Sequence, residues 1–250
     1  MDNLFLLALI SFTMGLVNST SGGGGVFGVP TLLALGAAPV NALVLNRISD
    51  LGNIAGSLKN YMGVAGFNRK LGFIAIPPIL LGAFAGANLI VKADEEVINA
   101  IILVAVMLAV FILLYPAKPR QKNITPHIGL GVFALLALGV WEGALAMAGG
   151  TFGVLLFVFL FRQSYLQAKG VVTLAAIPET LMSATILYLH SDVASEQIVV
   201  MFSAAVVGAF VGSKIAIGKG SYFIRYAMAT MALAMVAKIV IFDLNWLAII

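Results

Sequence analysis

The sequence predicts an all-α polytopic membrane protein of two inverted repeats, each with about five helical elements, giving roughly 8–10 membrane segments. Three observations predict this fold: an apolar composition, an internal duplication and alternating loop charges. Of the 250 residues, 62% are hydrophobic and 10% are charged, against roughly 45–50% and 25% in a typical soluble domain. So few polar side chains cannot cover a surface that faces water, and a water-soluble fold is excluded.

The first constraint on the elements is a long stretch without charge. No Lys, Arg, Asp or Glu occurs from Asn3 to Asn46. As one helix this stretch would measure roughly 65 Å, about twice the thickness of a hydrocarbon core, so it must turn back at least once. We interpret residues 1–21 as a retained membrane segment rather than a signal peptide, because their only charge is the acidic Asp2.

Charged residues, glycines and prolines divide the chain into ten apolar segments. These are 4–21, 22–36, 40–58, 71–91, 97–115, 127–148, 149–161, 168–189, 197–213 and 226–250. The segments 22–36 and 149–161 are short for full spans, which leaves open whether they cross the membrane or are re-entrant. We expect the first repeat to comprise 1–116 and the second 127–250, with a cytoplasmic basic linker at 117–126. Together they form one transmembrane domain.

Two short motifs indicate the duplication. The sequence GGVFGV at 24–29 recurs as GGTFGV at 149–154, and GAFAG at 82–86 recurs as GAFVG at 208–212. The offsets, 125 and 126 residues, are almost equal, which is hard to obtain by chance. The second motif contains a GxxxG pair in each half, which we expect to serve close helix packing.

Loop charges indicate how the repeats are related. The loop at 59–70 is basic whereas its counterpart at 190–196 is acidic, and the next pair of loops, 92–96 and 214–225, again differs in sign. By the positive-inside rule these counterparts lie on opposite faces of the membrane, which requires an inverted repeat. The same count places the linker, Arg162 and Lys169 in the cytoplasm and both termini outside.

Several classes of function are disfavoured. The absence of cysteine excludes a disulfide framework and a thiolate metal site. The chain has no H-E-x-x-H or G-x-S-x-G motif and no ATP-binding loop, so we expect no enzyme, no cofactor and no metal. The net charge of +4 lies in loops between spans and does not indicate a nucleic-acid partner. A purely structural subunit would have no use for the features described next.

The glycine runs at 22–25 and 149–150 interrupt apolar segments. Each glycine costs about 1 kcal/mol in a helix relative to alanine, and unwound backbone at membrane depth persists only when it is buried in protein or lines a cavity. We expect short helices to begin at Val26 or Phe27 and at Phe152, with Thr151 as an N-cap, so that their positive ends form an anion site near the midplane. The alternative is that these glycines only let helices pack closely. The predicted substrate-binding residues here are Gly23, Gly24, Gly25, Val26, Phe27, Gly149, Gly150, Thr151 and Phe152.

Ionisable residues within apolar segments are the second signal, because each costs roughly 2.5–3.5 kcal/mol at the bilayer centre. They are Arg47, Asp50, Glu142, Glu179 and Lys238. Arg47, with Asn46 and Asn53, is predicted to bind an oxyanion; alternatively, Asp50 simply neutralises it from one helical turn away. Glu142, Glu179 and Asp50 are the candidates for proton coupling.

An alternative also stays open for the two glutamates, which could pair with Lys169 or Arg47 instead of carrying a proton. Asn18 is a further polar position that could bind a substrate or another helix.

Three stretches carry a resemblance to a known family: 22–30, 42–57 and 139–152. Together they resemble the sulfite exporter TauE/SafE family, over nearly the whole chain. Residues 45–49 read L-N-R-I-S where many members have T-N-K-L-Q. Trp141 and Glu142 correspond to the aromatic-acidic pair of Y-D-G-F-F-G-P-G-T-G, whose proline is absent here.

The resemblance implies a permease of the prokaryotic cytoplasmic (cell) membrane, a secondary transporter that exports small sulfur-containing anions such as sulfite, thiosulfate or organosulfonates. We expect alternating access of the two repeats, with lipid as the surrounding partner. A passive anion channel and a permease for an unrelated small organic anion are the alternatives. The sequence leaves open which anion is carried, whether it is exported or imported, whether protons are coupled to its movement, and whether the chain forms a homo-oligomer.

Overall fold

The computed structural model describes residues 3–98, 100–101, 104, 128–145, 147–220 and 223. Eight complete helices lie in these ranges: α1 (Leu4–Ser21), α2 (Gly24–Ala34), α3 (Pro39–Met62), α4 (Arg69–Ile90), α5 (Ile128–Leu145), α6 (Gly149–Leu160), α7 (Tyr165–Tyr188) and α8 (Ser195–Lys219). The linker 117–126, the segment 226–250, Lys238 and most of the segment 97–115 lie outside the described residues.

The prediction of an all-helical membrane protein is confirmed for the described ranges. Four helices, α1, α4, α7 and α8, are long and apolar enough to cross a membrane. By contrast α2 and α6 have only 11 and 12 residues.

Local sequence explains where several helices begin. The side chain of Asn3 accepts a hydrogen bond from the Leu6 N–H (3.0 Å) at the start of α1, and Asn68 caps α4 in the same way. Ser164 and Gln167 form a reciprocal capping box at the start of α7. Proline at the first position of α3 has the fixed φ that suits a helical first turn.

The duplication is visible in the order and length of the helices. The first four have 18, 11, 24 and 22 residues and the second four have 18, 12, 24 and 25. Helix packing follows the same correspondence between the halves. The contact of α1 with α8 corresponds to that of α5 with α4, and the contact of α3 with α8 corresponds to that of α7 with α4. Exchanging the corresponding helices converts each pair into its counterpart, as a two-fold relation between the halves requires. Their inversion relative to the membrane stays a prediction.

These contacts divide the helices into two bundles that differ from the sequence halves. The first bundle consists of α1, α2, α3 and α8, and the second of α4, α5, α6 and α7. Each bundle therefore contains three helices from one half and the fourth helix of the other. The closest helix contacts between the bundles are α3 with α7 and α1 with α6.

Glycines form the seams inside each bundle. In the first bundle Gly208 and Gly212 of α8 lie against the backbone of Phe12 and Leu16 in α1. The corresponding seam of the second bundle places Gly82 and Gly86 of α4 against the backbone of α5. The packing role predicted for the two GxxxG pairs is confirmed, because a Cβ at any of these glycines would overlap backbone atoms.

The seam between α4 and α5 can be tested with Gly86→Leu. The new side chain would meet the Val140 carbonyl and the Ala144 amide, so α4 must move away from α5 at a cost of about 1–3 kcal/mol or more. We expect a lower Tm and less monodisperse protein in detergent. Gly218→Leu is the matched control, because no atom of the described residues lies within 4 Å of a Cβ at that exposed position of α8. Equal Tm values for the two variants would contradict the seam.

Candidate functional site

The two helix breaks contact each other between the bundles. In the first half only Gly22 and Gly23 separate α1 from α2, and Gly22 has a left-handed φ of 83°. In the second half Ala148, with a φ of 57°, precedes α6. A Cβ at Gly22 would overlap the peptide between Gly150 and Thr151. A glycine is therefore required at this position both by its φ and by the close approach of the other break.

The predicted helix starts at Val26 or Phe27 and at Phe152 are wrong. The helices begin earlier, at Gly24 and Gly149, so part of each glycine run is helical. In the first turn the N–H groups have no helical partner in any case, and missing side chains let both helix ends lie against neighbouring atoms. The glycine cost that motivated the prediction applies to helix interiors.

The predicted N-cap role of Thr151 is also wrong. Its hydroxyl donates instead to the Ser21 carbonyl at the end of α1 (2.8 Å). The hydroxyl of Tyr61 donates to the Ser19 carbonyl. Carbonyls in the last turn of a helix lack helical partners, so these two side chains satisfy the end of α1 and fix the first break.

A polar cleft lies where the bundles meet beside the two breaks. Its cavity volume is about 40 Å³, against roughly 10–15 Å³ needed to hold one water molecule, so it has room for more than one water-sized group. Residues from α1, α3, α5 and α7 line it together with glycines of both breaks: Asn18, Gly22, Arg47, Asp50, Asn53, Ile54, Glu142, Gly149, Gly150, Lys169, Val172, Thr173, Ala176, Glu179 and Thr180.

The cleft brings together part of the predicted site. The predicted residues in its lining are Arg47, Asp50, Asn53, Glu142, Gly149, Gly150 and Glu179. Those that do not line it are Gly23, Gly24, Gly25, Val26, Phe27, Asn46, Thr151 and Phe152. Val26 is buried in the apolar core and Phe27 is 38% exposed. Phe152 packs edge-on against Trp141, with ring centroids 5.4 Å apart.

Arg47 is the centre of the charged network. Its Nη1 lies 3.3 Å from Glu142 Oε2, 3.6 Å from Glu179 Oε1 and 3.7 Å from Asp50 Oδ2. The side chain is 1% exposed, and a buried cation is tolerated when ion pairs replace its hydration. Its Nε and Nη2 are buried and have no hydrogen-bond partner among the described residues. One corner of the guanidinium is thus neutralised, whereas the buried edge formed by Nε and Nη2 is unpaired in the described part of the chain.

Amide and hydroxyl groups support two of these carboxylates. Asp50 accepts hydrogen bonds from Asn18 Nδ2 (2.6 Å) and, weakly, from Asn46 Nδ2 (3.5 Å). Oε1 of Glu179 accepts one from the Thr180 hydroxyl (2.8 Å), whereas its Oε2 is buried without a partner in the described part of the chain. Asn46 therefore orients a member of the network from outside the cleft.

The third carboxylate lies at the start of α6. A Cβ at Gly149 would coincide with the carboxyl group of Glu142, which therefore packs directly on the first residue of α6. The positive end of a helix attracts negative charge. The end that was expected to bind a foreign anion thus faces an internal carboxylate.

Lys169, Thr173 and Thr180 line the cleft, although none was predicted to bind a substrate. The prediction counted Lys169 as a cytoplasmic loop charge, although it falls within the predicted apolar segment 168–189. The S-x-x-Q pattern of Ser164 and Gln167 could have corrected this, since a capping box starts the helix at Tyr165. Lys169 then falls in the second turn of α7, one turn before Thr173.

Comparison with known proteins agrees with this architecture. The family model described as "Sulfite exporter TauE/SafE" matches residues 7–239. The chain belongs to the sulfite exporter TauE/SafE family. With its family and its four candidate spans, it is a multi-pass prokaryotic membrane protein. No solved structure matches the chain.

Three bacterial relatives match this chain over most of both sequences. "Probable membrane transporter protein YfcA" of Escherichia coli K12 is 26% identical over 243 residues, 94% of this chain and 88% of the relative. A "Probable membrane transporter protein" of Haemophilus influenzae is 24% identical over 249 residues, 98% and 97% of the two chains. "Probable membrane transporter protein ORF9" of Sinorhizobium sp is 23% identical over 244 residues, 94% and 92%.

The contact between the breaks can be tested with Gly22→Ala. Alanine in this left-handed conformation would cost roughly 1–2 kcal/mol, and its Cβ would also overlap the Gly150–Thr151 peptide. Gly36→Ala is a matched control, because Gly36 has a φ of 85° and no atom in the described part of the chain lies within 4 Å of an added Cβ. We expect a clearly larger drop in Tm for Gly22→Ala. The same drop in both variants would mean that the breaks do not press against each other.

Proposed function

We propose that the protein is a secondary transporter of small sulfur-containing oxyanions, with its binding site in the cleft between the bundles. The observation that carries this proposal is the buried, unpaired edge of Arg47, a residue that lines the cleft beside the two helix breaks. A desolvated guanidinium edge binds oxyanions by paired charge-assisted hydrogen bonds. Charged groups at broken helices mark substrate sites in transporters with repeated halves. The family description supports sulfite-like anions and export as the direction.

Alternating access in this proposal is rocking of the bundles rather than of the sequence halves. At 1.5 Å per residue, α2 and α6 are about 17–18 Å long, shorter than the roughly 30 Å hydrocarbon core. We therefore take them to be re-entrant elements that meet near the midplane. Motion about the contact of α3 with α7 opens the cleft to one side and then to the other. Without substrate, Arg47 on the first bundle holds Glu142 and Glu179 on the second.

The charge of the cleft motivates proton coupling. Two cations, Arg47 and Lys169, face three carboxylates, Asp50, Glu142 and Glu179. With all five ionised the formal charge is −1, and an entering anion makes it more negative in a poorly solvated site, which is costly. Uptake of a proton by one carboxylate removes this cost. The anion is therefore proposed to move with at least one proton, and the summed gradients set the direction.

The direct test is flux of sulfite, thiosulfate and sulfoacetate in proteoliposomes, with a pH gradient and a membrane potential imposed separately. We expect saturable movement of at least one of these anions. Accelerated exchange against unlabelled anion on the far side distinguishes a carrier from a passive channel. If folded protein moves none of the three, the proposed substrate class is wrong, and unrelated small organic anions become the next probes.

Arg47→Ala should reduce this flux by about 100-fold or more, since two hydrogen bonds to a charged group are lost. Arg47→Lys keeps the charge without the planar edge and should restore only part of the flux. The matched control is Arg69→Ala, which removes an exposed arginine at the start of α4. Each variant is first shown to be monodisperse, because Arg47 also holds three carboxylates. Wild-type flux and apparent affinity in folded Arg47→Ala would remove Arg47 from the site.

The proton-coupling role predicts the behaviour of Asp50→Asn, Glu142→Gln and Glu179→Gln. At least one of these variants should lose its acceleration by an imposed proton gradient and still catalyse anion exchange, because a neutral amide cannot take up the proton. Glu196→Gln in the exposed first turn of α8 is the control and should keep the wild-type response. If all three cleft variants respond to the gradient as the wild type does, the protons are not carried by these carboxylates.

A further inference from the structure

Lys169 is a buried cation in the wall of the cleft. It is the fifth residue of α7 and is 2% exposed. All three cleft carboxylates lie within 4 Å of Arg47, but within the described ranges none lies that close to the Lys169 ammonium. Asp50 and Glu142 attract it only from a longer distance, and a buried charge without a close partner is costly. Such a group in the wall of a cavity points to a ligand of opposite charge.

A second donor group in the same cleft also lacks an acceptor. The Nε and Nη2 of Arg47 have no hydrogen-bond partner among the described residues, while Nη1 is held by the carboxylates. Arg47 lies on α3 and Lys169 on α7, the two helices that pack together between the bundles. The cleft is thus lined by two separate sets of unused cationic donors, one from each bundle.

We infer that Lys169 and the unpaired Nε–Nη2 edge of Arg47 bind one anion together when motion of the bundles exposes that edge, and that the anion presents a three-oxygen –SO₃ group. This inference rests on the proposed function. The planar Nε–Nη2 edge matches two oxygens of one ligand. An ammonium is a compact donor without a fixed direction, and it takes the third oxygen. Lys169 is therefore a specificity-determining residue.

The geometry of the two cationic groups predicts a preference for an –SO₃ group over a carboxylate. Sulfite, thiosulfate and organosulfonates all carry three oxygens on one sulfur, whereas a carboxylate offers two oxygens in a plane. A carboxylate satisfies the Arg47 edge and leaves Lys169 without an acceptor, and an unsatisfied buried donor is costly. Because the two cations belong to different bundles, a bound –SO₃ group also links the bundles across the cleft.

Binding to purified full-length protein tests this inference through Trp141, which neighbours Glu142 in sequence and donates to the Met147 carbonyl at the second break (2.6 Å). In a Trp246→Phe background Trp141 is the sole tryptophan. Its fluorescence is titrated with thiosulfate, methanesulfonate and acetate, and the stabilising effect of sulfite and of the other three anions on Tm gives an independent measure. Thiosulfate and sulfite represent the inorganic source of the –SO₃ group and methanesulfonate the organic one.

Lys169→Met should weaken binding of –SO₃ ligands about 10- to 100-fold, the effect of losing one hydrogen bond to a charged group. Acetate binding should stay unchanged, so that the selectivity disappears. Lys169→Arg restores the charge and should recover most of the selectivity, which also gives a result if the methionine variant does not fold. Lys59→Met removes an exposed lysine from the last turn of α3 and should have no effect.

Two results would overturn the inference while leaving the proposed function in place. One is wild-type affinity for –SO₃ ligands in folded Lys169→Met. The other is an equal loss of affinity for acetate and for –SO₃ ligands, which would make Lys169 a general cation. If the wild-type protein binds and transports none of these anions, the proposed function fails and the inference fails with it.

Discussion

The described structure depends on one constraint: a single buried guanidinium nitrogen must serve three carboxylates. Nη1 of Arg47 holds Asp50, Glu142 and Glu179, which come from α3, α5 and α7. Charges in an apolar interior are stable only when their partners are held in place, so these three helices must converge on one point. The glycine breaks, which remove side chains where the bundles meet, make this convergence sterically feasible.

Symmetry supplies the geometry of the cleft but not its chemistry. Helix α7 begins and ends 126 residues after α3, and this offset makes Arg47 the counterpart of Thr173 and Asn53 the counterpart of Glu179. All four residues line the cleft. The two helices thus supply equivalent positions to the cleft, but the cations and carboxylates do not occupy matching ones. A cleft between such halves can therefore have structurally equivalent positions that carry different charges.

The free-energy cost of a charge inside an apolar segment explains which parts of the site could be predicted from the sequence. Arg47, Asp50, Glu142 and Glu179 are visible because a charge inside an apolar segment is expensive and needs a partner or a function. Lys169 was not included because its charge was counted as a cytoplasmic charge, although it falls within the predicted segment 168–189. The helix starts were misplaced because a glycine penalty for helix interiors was applied to first turns. The exchange of α4 and α8 between bundles could not be predicted, since both glycine seams have the same motif.

The exchange of helices has a consequence for biogenesis. In the first bundle the Ser11 hydroxyl of α1 donates to the Met201 carbonyl of α8, across 190 residues of sequence. At about 5–20 residues per second, a ribosome needs roughly 10–40 s to make that intervening chain. During this interval the face of α1 that packs on α8 lacks that partner. The order of synthesis therefore completes the second bundle, whose members α4 to α7 are contiguous, before the first can close around its last helix.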